Sequence, residues 1–94
     1  LIDKPFATFT SSNSLHGGQE STLLTMAIPM LHHGMIYCGI PYSEVSLSNT
    51  KTGGSPYGAS HFAGASNDSE ISMDETKSCL ALGKRLAILS SKIC

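Results

Sequence analysis

The residues best suited to binding chemistry lie in the loop from Ser11 to Glu20, between a short apolar run and a helical pattern. The loop is rich in small hydroxyl residues and glycines, which leave backbone N–H groups free to donate to a phosphate or to the carbonyl oxygens of a ring. Because the loop contains no Lys or Arg, its composition favours the edge of a neutral heterocycle over a phosphate. A plain connecting loop is the alternative, since the same composition fits one equally well.

Two adjacent histidines, His32 and His33, precede Gly34 at the expected end of a helix. Imidazoles near a helix C-terminus interact favourably with the helix dipole when they are charged, so a weak stabilising role is one interpretation. Neighbouring positions on a helix point in different directions, so at most one of the two rings can face a given ligand. The spacing alone leaves both interpretations open.

A third cluster, Gly53 to Gly58, contains the Gly-Gly and Pro-Tyr-Gly combinations that are typical of turns. Ser60 and His61 follow it and raise the hypothesis of a Ser–His hydrolase. This hypothesis is disfavoured because the Gly-x-Ser sequence around Ser60 lacks the second glycine of a nucleophile elbow and follows no predicted strand. We therefore expect a turn cluster at Gly53 to Gly58 and no hydrolase.

The elements that position these clusters follow an α/β pattern. The run Phe6–Phe9 predicts a buried strand, and the five small polar residues after it predict a loop. Apolar residues then recur at three- and four-residue spacing up to a cap at Gly34, which predicts an amphipathic helix. Its expected buried face consists of Leu23, Leu24, Ala27, Met30 and Leu31. The apolar run Met35–Ile40 predicts a second strand, so the whole forms a βαβ unit with parallel strands.

The rest of the chain divides near residue 70. Residues 41–69 carry several Pro and Gly without a steady period, which predicts a long irregular insertion that binds something or packs against a neighbour. Residues 72–93 are predicted to form a C-terminal helix that begins with a capping box of Ser72 and Glu75. Its expected apolar stripe consists of Cys79, Leu82, Leu86, Leu89 and Ile93. This stripe favours a helix packed on a sheet over a coiled coil.

Composition narrows the classes of function. The chain has 94 residues and a formal net charge of -1, so it is the size of one small domain and carries no basic surface for nucleic acid or anionic lipid. No apolar run approaches the roughly 20 residues of a membrane span. The three cysteines (Cys38, Cys79 and Cys94) are too widely spaced for a disulfide framework or a zinc site. We expect a soluble, cytoplasmic protein without a metal, a membrane anchor or a nucleic-acid partner.

Four motifs, in this order and spacing, carry a resemblance to a known family. They are Phe9-Thr10-Ser11-Ser12, His16-Gly17-Gly18-Gln19-Glu20, Leu31-His32-His33-Gly34-Met35 and Gly53-Gly54-Ser55-Pro56-Tyr57-Gly58-Ala59. Together they resemble the WrbA-type NAD(P)H:quinone oxidoreductases, and the similarity covers essentially the whole chain. The resemblance implies an α/β fold of the flavodoxin-like class, a doubly wound parallel sheet. These residues would supply roughly its last two strands and two helices.

The resemblance also implies a cofactor, substrates and an assembly. Members of this family bind FMN, take NADH or NADPH as co-substrate, transfer two electrons to quinones and assemble as homotetramers. The residues implied to contact the flavin ring, largely through backbone groups, are Asn13, Ser14, Leu15, His16, Gly17 and Gly18. His33 is implied to reach the flavin site of a neighbouring subunit. No catalytic residue is assigned, because the flavin carries the chemistry.

Two hypotheses about function remain. In the first, these residues belong to a complete quinone reductase. In the alternative they form a truncated, non-catalytic fragment that cannot hold FMN alone. Leu1 in place of a methionine favours truncation, and the family's loop for the FMN phosphate has no counterpart in this sequence. Two strands alone make a sheet that is marginal in water, so we expect further strands outside these residues.

Overall fold

The computed structural model describes residues 1–93 as a mixed α/β structure. Its elements in chain order are β1 (Pro5–Phe6), β2 (Phe9–Ser12), α1 (Gln19–His32), β3 (Ile36–Tyr37), α2 (Val45–Asn49), β4 (Ala59–Phe62) and α3 (Met73–Ile93). Strand β1 pairs with β3, strand β2 pairs with β4, and both pairs are parallel. Parallel neighbours require a crossover connection, and the helices of this chain provide it.

Strand β1, helix α1 and strand β3 form a βαβ unit, but the predicted buried strand Phe6–Phe9 is wrong in its bounds. Phe6 ends β1, and Phe9, which is 78% exposed, begins β2. Pro5 lies opposite Ile36 and Phe6 opposite Tyr37, and the rings of Phe6 and Tyr37 stack with their centroids 4.9 Å apart. The second strand is shorter than predicted, because only Ile36 and Tyr37 of the run Met35–Ile40 join the ladder. The parallel pairing of the unit is confirmed.

Strand β2 corrects the prediction at its polar residues. Thr10–Ser12 were expected to lie in a loop, but they pair in parallel with β4, from Phe9 opposite Ala59 to Ser12 opposite Phe62. Strand β4 and helix α2 both lie within residues 41–69, so the prediction of an irregular insertion is wrong for these two elements. Backbone pairing with a partner distant in sequence here overrides the weak strand propensity of small polar residues.

Helix α3 covers one side of the strands. The core on this side is a cluster of Cys38, Ile40, Leu47, Ala59 and Leu82, with Ala7, Leu86 and Leu89 packed against it. The stripe predicted for α3 is therefore correct at Leu82, Leu86 and Leu89. It is wrong at Cys79, which is exposed, and at Ile93, which is 43% exposed.

Helix α1 lies against β2 and β3 and contributes nothing to that cluster. Of its predicted buried face, Leu23 and Ala27 are buried, whereas Leu24 and Leu31 are 40% and 50% exposed. The prediction is wrong at these two residues, since the described part of the chain leaves a large share of each side chain open to solvent. No helix among residues 1–93 combines the length and the apolar character needed to cross a membrane.

The end of α1 confirms the predicted glycine cap. Gly34 has φ +77°, the left-handed conformation that favours glycine, and its N–H donates to the Leu31 carbonyl at 3.0 Å. The Met35 N–H donates to the Met30 carbonyl at 3.2 Å. These two bonds form a Schellman motif, which satisfies carbonyl groups that a helix end otherwise leaves open.

Candidate functional site

The loop singled out by the sequence lies at the carboxyl end of β2 and leads into α1. Its two ends are tied together, because the Gln19 side-chain amide donates to the Ser12 hydroxyl at 2.8 Å. The Ser12 hydroxyl in turn donates to the Ser14 carbonyl at 2.7 Å. Gln19 also donates to the His61 carbonyl at 3.2 Å, which attaches the loop to β4. Gln19 and Ser12 thus form a frame around the loop that was not predicted from the sequence.

The backbone of this loop faces outward. Residues 13–17 are exposed, and the Gly17 N–H makes a long bond of 3.3 Å to the Ser14 carbonyl. Helix α1 begins after Gly18, which has no side chain to cap the N–H groups of the first turn. Uncapped N–H groups at the positive end of a helix dipole attract electron-rich ligand atoms. The loop can therefore bind a ligand through its backbone alone.

A cleft of about 500 Å³ separates this loop from residues 50–55. One side is lined by Leu15, His16, Gly18, Gln19, Glu20 and Ser21. The other side, called the Thr50–Ser55 wall below, contributes Thr50, Lys51, Thr52, Gly54 and Ser55. The volume lies within the roughly 300–1,000 Å³ of small-molecule and cofactor sites. Gly54 and Ser55 belong to the turn cluster that the sequence singled out, whereas Thr50, Lys51 and Thr52 lie outside the four motifs and were not predicted to line a site.

The predicted site residues fall into two places. Leu15, His16 and Gly18 line the cleft, while Asn13, Ser14 and Gly17 belong to the same loop outside its lining. His33 follows the last residue of α1, a helix of 14 residues that spans about 20 Å. The loop at residues 13–18 lies at the opposite end of that helix, directly before Gln19. The cleft and His33 of one chain therefore do not meet, and a role for His33 at a flavin site of a neighbouring subunit stays a prediction.

A buried carboxylate lies behind the Thr50–Ser55 wall. Glu75 is 1% exposed and accepts hydrogen bonds from the backbone N–H groups of Gly53, Phe62 and Ser72, each at 2.8 Å. The Nδ1 atom of His61 lies 3.0 Å from the same carboxylate. Burial by itself raises the pKa of Glu75, but the bonds from Ser72, Phe62, His61 and Gly53 together outweigh it and lower the pKa to about 2. Glu75 is therefore a carboxylate at neutral pH.

The capping box predicted at the start of α3 is confirmed. The Ser72 N–H donates to Oε1 of Glu75 at 2.8 Å, and the Glu75 N–H donates to the Ser72 hydroxyl at 3.1 Å. The bonds of Glu75 to Gly53 and Phe62 were not foreseen, because a capping box reveals only the partners close in sequence.

Ser60 and His61 do not form a hydrolase pair. The Ser60 hydroxyl is buried and accepts a hydrogen bond from the Gly54 N–H at 2.7 Å. The two ring nitrogens of His61 lie 3.0 Å from Glu75 and 3.0 Å from the Ser69 carbonyl. A serine nucleophile requires a base within hydrogen-bond reach of its hydroxyl, and His61 is committed elsewhere. Within residues 1–93, no group of three or more His, Cys, Asp or Glu could hold a metal ion.

The sequence of this chain is similar to those of several proteins named NAD(P)H dehydrogenase (quinone). No family model matches it. A protein of Methanosarcina barkeri named NAD(P)H dehydrogenase (quinone) is 43% identical over 95 residues, which cover 99% of this chain and 46% of that protein. Proteins of the same name from Geotalea daltonii and Syntrophobacter fumaroxidans are 42% and 43% identical over 95 residues, 46% and 47% of their lengths. The chain thus spans about half the length of the curated relatives it matches.

Proposed function

We propose that this chain forms the flavin-ring half of an FMN-dependent NAD(P)H:quinone oxidoreductase of the WrbA type. The observation that carries the proposal is the cleft between the loop at residues 13–20 and the Thr50–Ser55 wall, in a chain similar over 99% of its length to proteins named NAD(P)H dehydrogenase (quinone). The whole protein would accept electrons from NADH or NADPH and pass them to a quinone.

The residues present fit the ring of such a cofactor. The loop itself offers backbone donors without Lys or Arg, which suits the polar edge of a neutral heterocycle, and Lys51 on the opposite wall places one positive charge beside the cleft. Asn13 to Gly18 would hold that edge, and the uncapped start of α1 adds further donors. Bound FMN would supply the two-electron chemistry between NAD(P)H and quinone. Preplaced N–H donors stabilise negative charge at a ligand edge, each by roughly 1.5–3 kcal/mol when the acceptor is charged.

The open surfaces of the chain support a larger flavodoxin-like sheet. Strands β1 and β2 follow each other within eight residues, and each pairs with one partner among the described residues. Phe9 on β2 is 78% exposed, and Ile28 on α1 is 53% exposed. Large apolar side chains at such positions suit burial under further strands and helices. The half of the relatives that this chain does not match is the natural source of those elements, and the FMN phosphate site would lie there.

A homotetramer is part of the proposal. His33 lies at the end of α1 that is remote from the cleft of its own chain. The ring is exposed, so a neighbouring subunit could place its flavin site against it.

The alternative is a truncated fragment that cannot hold FMN. It is favoured by the same exposed apolar side chains, because a two-stranded parallel sheet with one uncovered side is marginal in water. Both hypotheses assign the same family and differ only in whether the remaining half accompanies this one.

The experiment is an absorbance spectrum of the purified complete polypeptide that carries this chain, followed by titration with FMN. We expect the visible band of oxidised flavin, loss of that band on anaerobic addition of NADH or NADPH, and its return on addition of benzoquinone. A protein that is colourless as purified and binds no added FMN would contradict the proposed function.

A further inference from the structure

The Thr50–Ser55 wall is attached to the rest of the molecule through its backbone at Gly53 and Gly54 and through the Thr52 hydroxyl, which lies 3.1 Å from the Ser72 hydroxyl. The Gly53 N–H donates to Oε2 of Glu75 at 2.8 Å, and the Gly53 carbonyl accepts from the Thr50 hydroxyl at 2.7 Å. The Gly54 N–H donates to the Ser60 hydroxyl at 2.7 Å. Both peptide groups around Gly53 therefore have fixed partners, and two of these partners lie outside the wall.

The contact at Gly53 leaves no space for a side chain. A methyl group at this position would collide with the backbone carbonyl of Ser60 and would lie 2.7 Å from Oε2 of Glu75. The wall thus lies directly against β4, and its distance from the strand is set by the hydrogen bonds at Gly53 and Gly54.

The two oxygens of the Glu75 carboxylate serve different parts of the fold. Oε1 accepts from the Ser72 N–H and lies beside His61, so it belongs to the capping box and the segment before α3. Oε2 accepts from the N–H groups of Gly53 and Phe62, which belong to the wall and to the end of β4. Of these contacts, a capping box requires only the bond from the Ser72 N–H to Oε1. The bonds to Oε2 connect α3 to the cleft.

We propose that Glu75 is a positioning residue for the cleft, which through Gly53 holds the Thr50–Ser55 wall at its place opposite the ligand-binding loop. The residue touches no ligand and acts by fixing the backbone of the wall. The identity of the ligand rests on the proposed function, with the FMN ring and the nicotinamide that reacts with it as the occupants of the cleft.

The test compares three variants of the complete polypeptide. Glu75→Gln keeps the shape of the side chain but replaces one acceptor oxygen by a donor. Ser60→Ala removes the partner of Gly54 without altering Glu75 or the cleft lining. Asp74→Ala is the matched control, because it removes an acidic side chain from the first turn of α3 and leaves the bonds of Thr52, Gly53 and Gly54 in place. Thermal unfolding of each variant records the loss of stability.

Amide hydrogen exchange at residues 50–55 and the Kd for FMN provide the two readouts. We expect faster exchange at Gly53 and Gly54 and roughly tenfold weaker FMN binding for Glu75→Gln and Ser60→Ala. The KM for NAD(P)H should rise while kcat at saturating FMN changes little. This pattern indicates that substrate binding is weakened and that the chemical step is unaffected. Asp74→Ala should lower the Tm slightly with neither exchange nor Kd altered.

Equal exchange at residues 50–55 and an equal Kd in Glu75→Gln and Asp74→Ala would overturn the proposal. If Glu75→Gln does not fold, Glu75→Asp takes its place with the same readouts, because it keeps the charge but shortens the side chain that reaches the Gly53 N–H. A wild-type protein that binds no FMN rejects the proposed function, and hydrogen exchange at the wall then decides alone whether Glu75 positions it. The two failures are therefore distinguishable.

Discussion

The imidazole of His61 bridges the carboxylate of Glu75 and the backbone carbonyl of Ser69. Its Nδ1 lies 3.0 Å from Oε1 of Glu75, and its Nε2 lies 3.0 Å from the Ser69 oxygen. Both ring nitrogens thus face acceptors. A neutral imidazole donates through one nitrogen only, so each tautomer donates to one of these two acceptors. His61 thereby fastens the segment before α3 to the buried carboxylate.

Replacing His61 by alanine should destabilise the fold. The variant loses both bonds of the ring, while Glu75 keeps its three backbone donors, so the free energy of unfolding should fall by about 1–3 kcal/mol. Urea denaturation measures it. His16→Ala serves as the control, because His16 is exposed on the loop and should change stability by less than about 0.5 kcal/mol. Equal stability of the two variants would show that the bridge at His61 is not formed in solution.

Acid should weaken the fold through Glu75. The folded-state pKa is lowered from 4.5 to about 2, so the carboxylate contributes stability that is fully present above pH 4.5 and is lost as the pH falls towards 2. Urea denaturation at a series of pH values between 6 and 2 measures this loss. Glu75→Gln should be less stable at pH 6 and should show a flatter dependence below pH 4.5. A variant with the wild-type slope would mean that other carboxylates govern the acid response.

The loop frame at Gln19 should affect ligand binding. Gln19→Ala removes the bonds to Ser12 and to the His61 carbonyl, which frees one end of the loop and should cost about 1 kcal/mol of stability. Since the backbone donors of the loop are then less well ordered, we expect FMN to bind several-fold more weakly in a fluorescence titration. Thr25→Ala, an exposed change on the same helix, should leave the Kd unaltered. An unchanged Kd in Gln19→Ala would show that the frame does not order the binding loop.

Two glycines should respond in opposite directions to the same substitution. Gly34→Ala forces a side chain into the left-handed conformation at φ +77° and should destabilise the fold by about 1 kcal/mol. Gly83→Ala lies within α3, where an added methyl group meets nothing within 4 Å, and should stabilise by roughly 0.5–1 kcal/mol. Thermal unfolding of both variants measures the effect. Equal shifts of both Tm values would contradict the assigned helix end at Gly34.

The helices were predictable because their signals are local. The cap at Gly34 and the capping box of Ser72 and Glu75 are formed by residues within a few positions of each other, and the structure confirms both. The apolar spacing of α3 likewise identified Leu82 and Leu86 as packing residues. Its error at Cys79 arose because a periodic pattern cannot show where the covering surface ends.

The strands and the second wall of the cleft were not predictable in the same way. Thr10–Ser12 are small and polar, and only their pairing with β4 makes them a strand. The Thr50–Ser55 wall is held in place by its hydrogen bonds to Glu75 and Ser60. These bonds cannot be predicted from the residue types within the wall. The loop at residues 13–18 could be singled out from its composition, but its frame at Gln19 required the position of β4.

The register of β2 and β4 has a consequence for how this region folds. Phe9 pairs with Ala59, fifty positions further along the chain, so the strand pair closes a long stretch of backbone. Closing such a loop has an entropic cost that contacts within α1 or α3 do not have, and structures rich in distant contacts fold slowly. The helices can therefore form early, whereas the cleft is assembled only when β4 reaches β2. Until β4 pairs with β2, the binding loop and the opposite wall make no contact with each other.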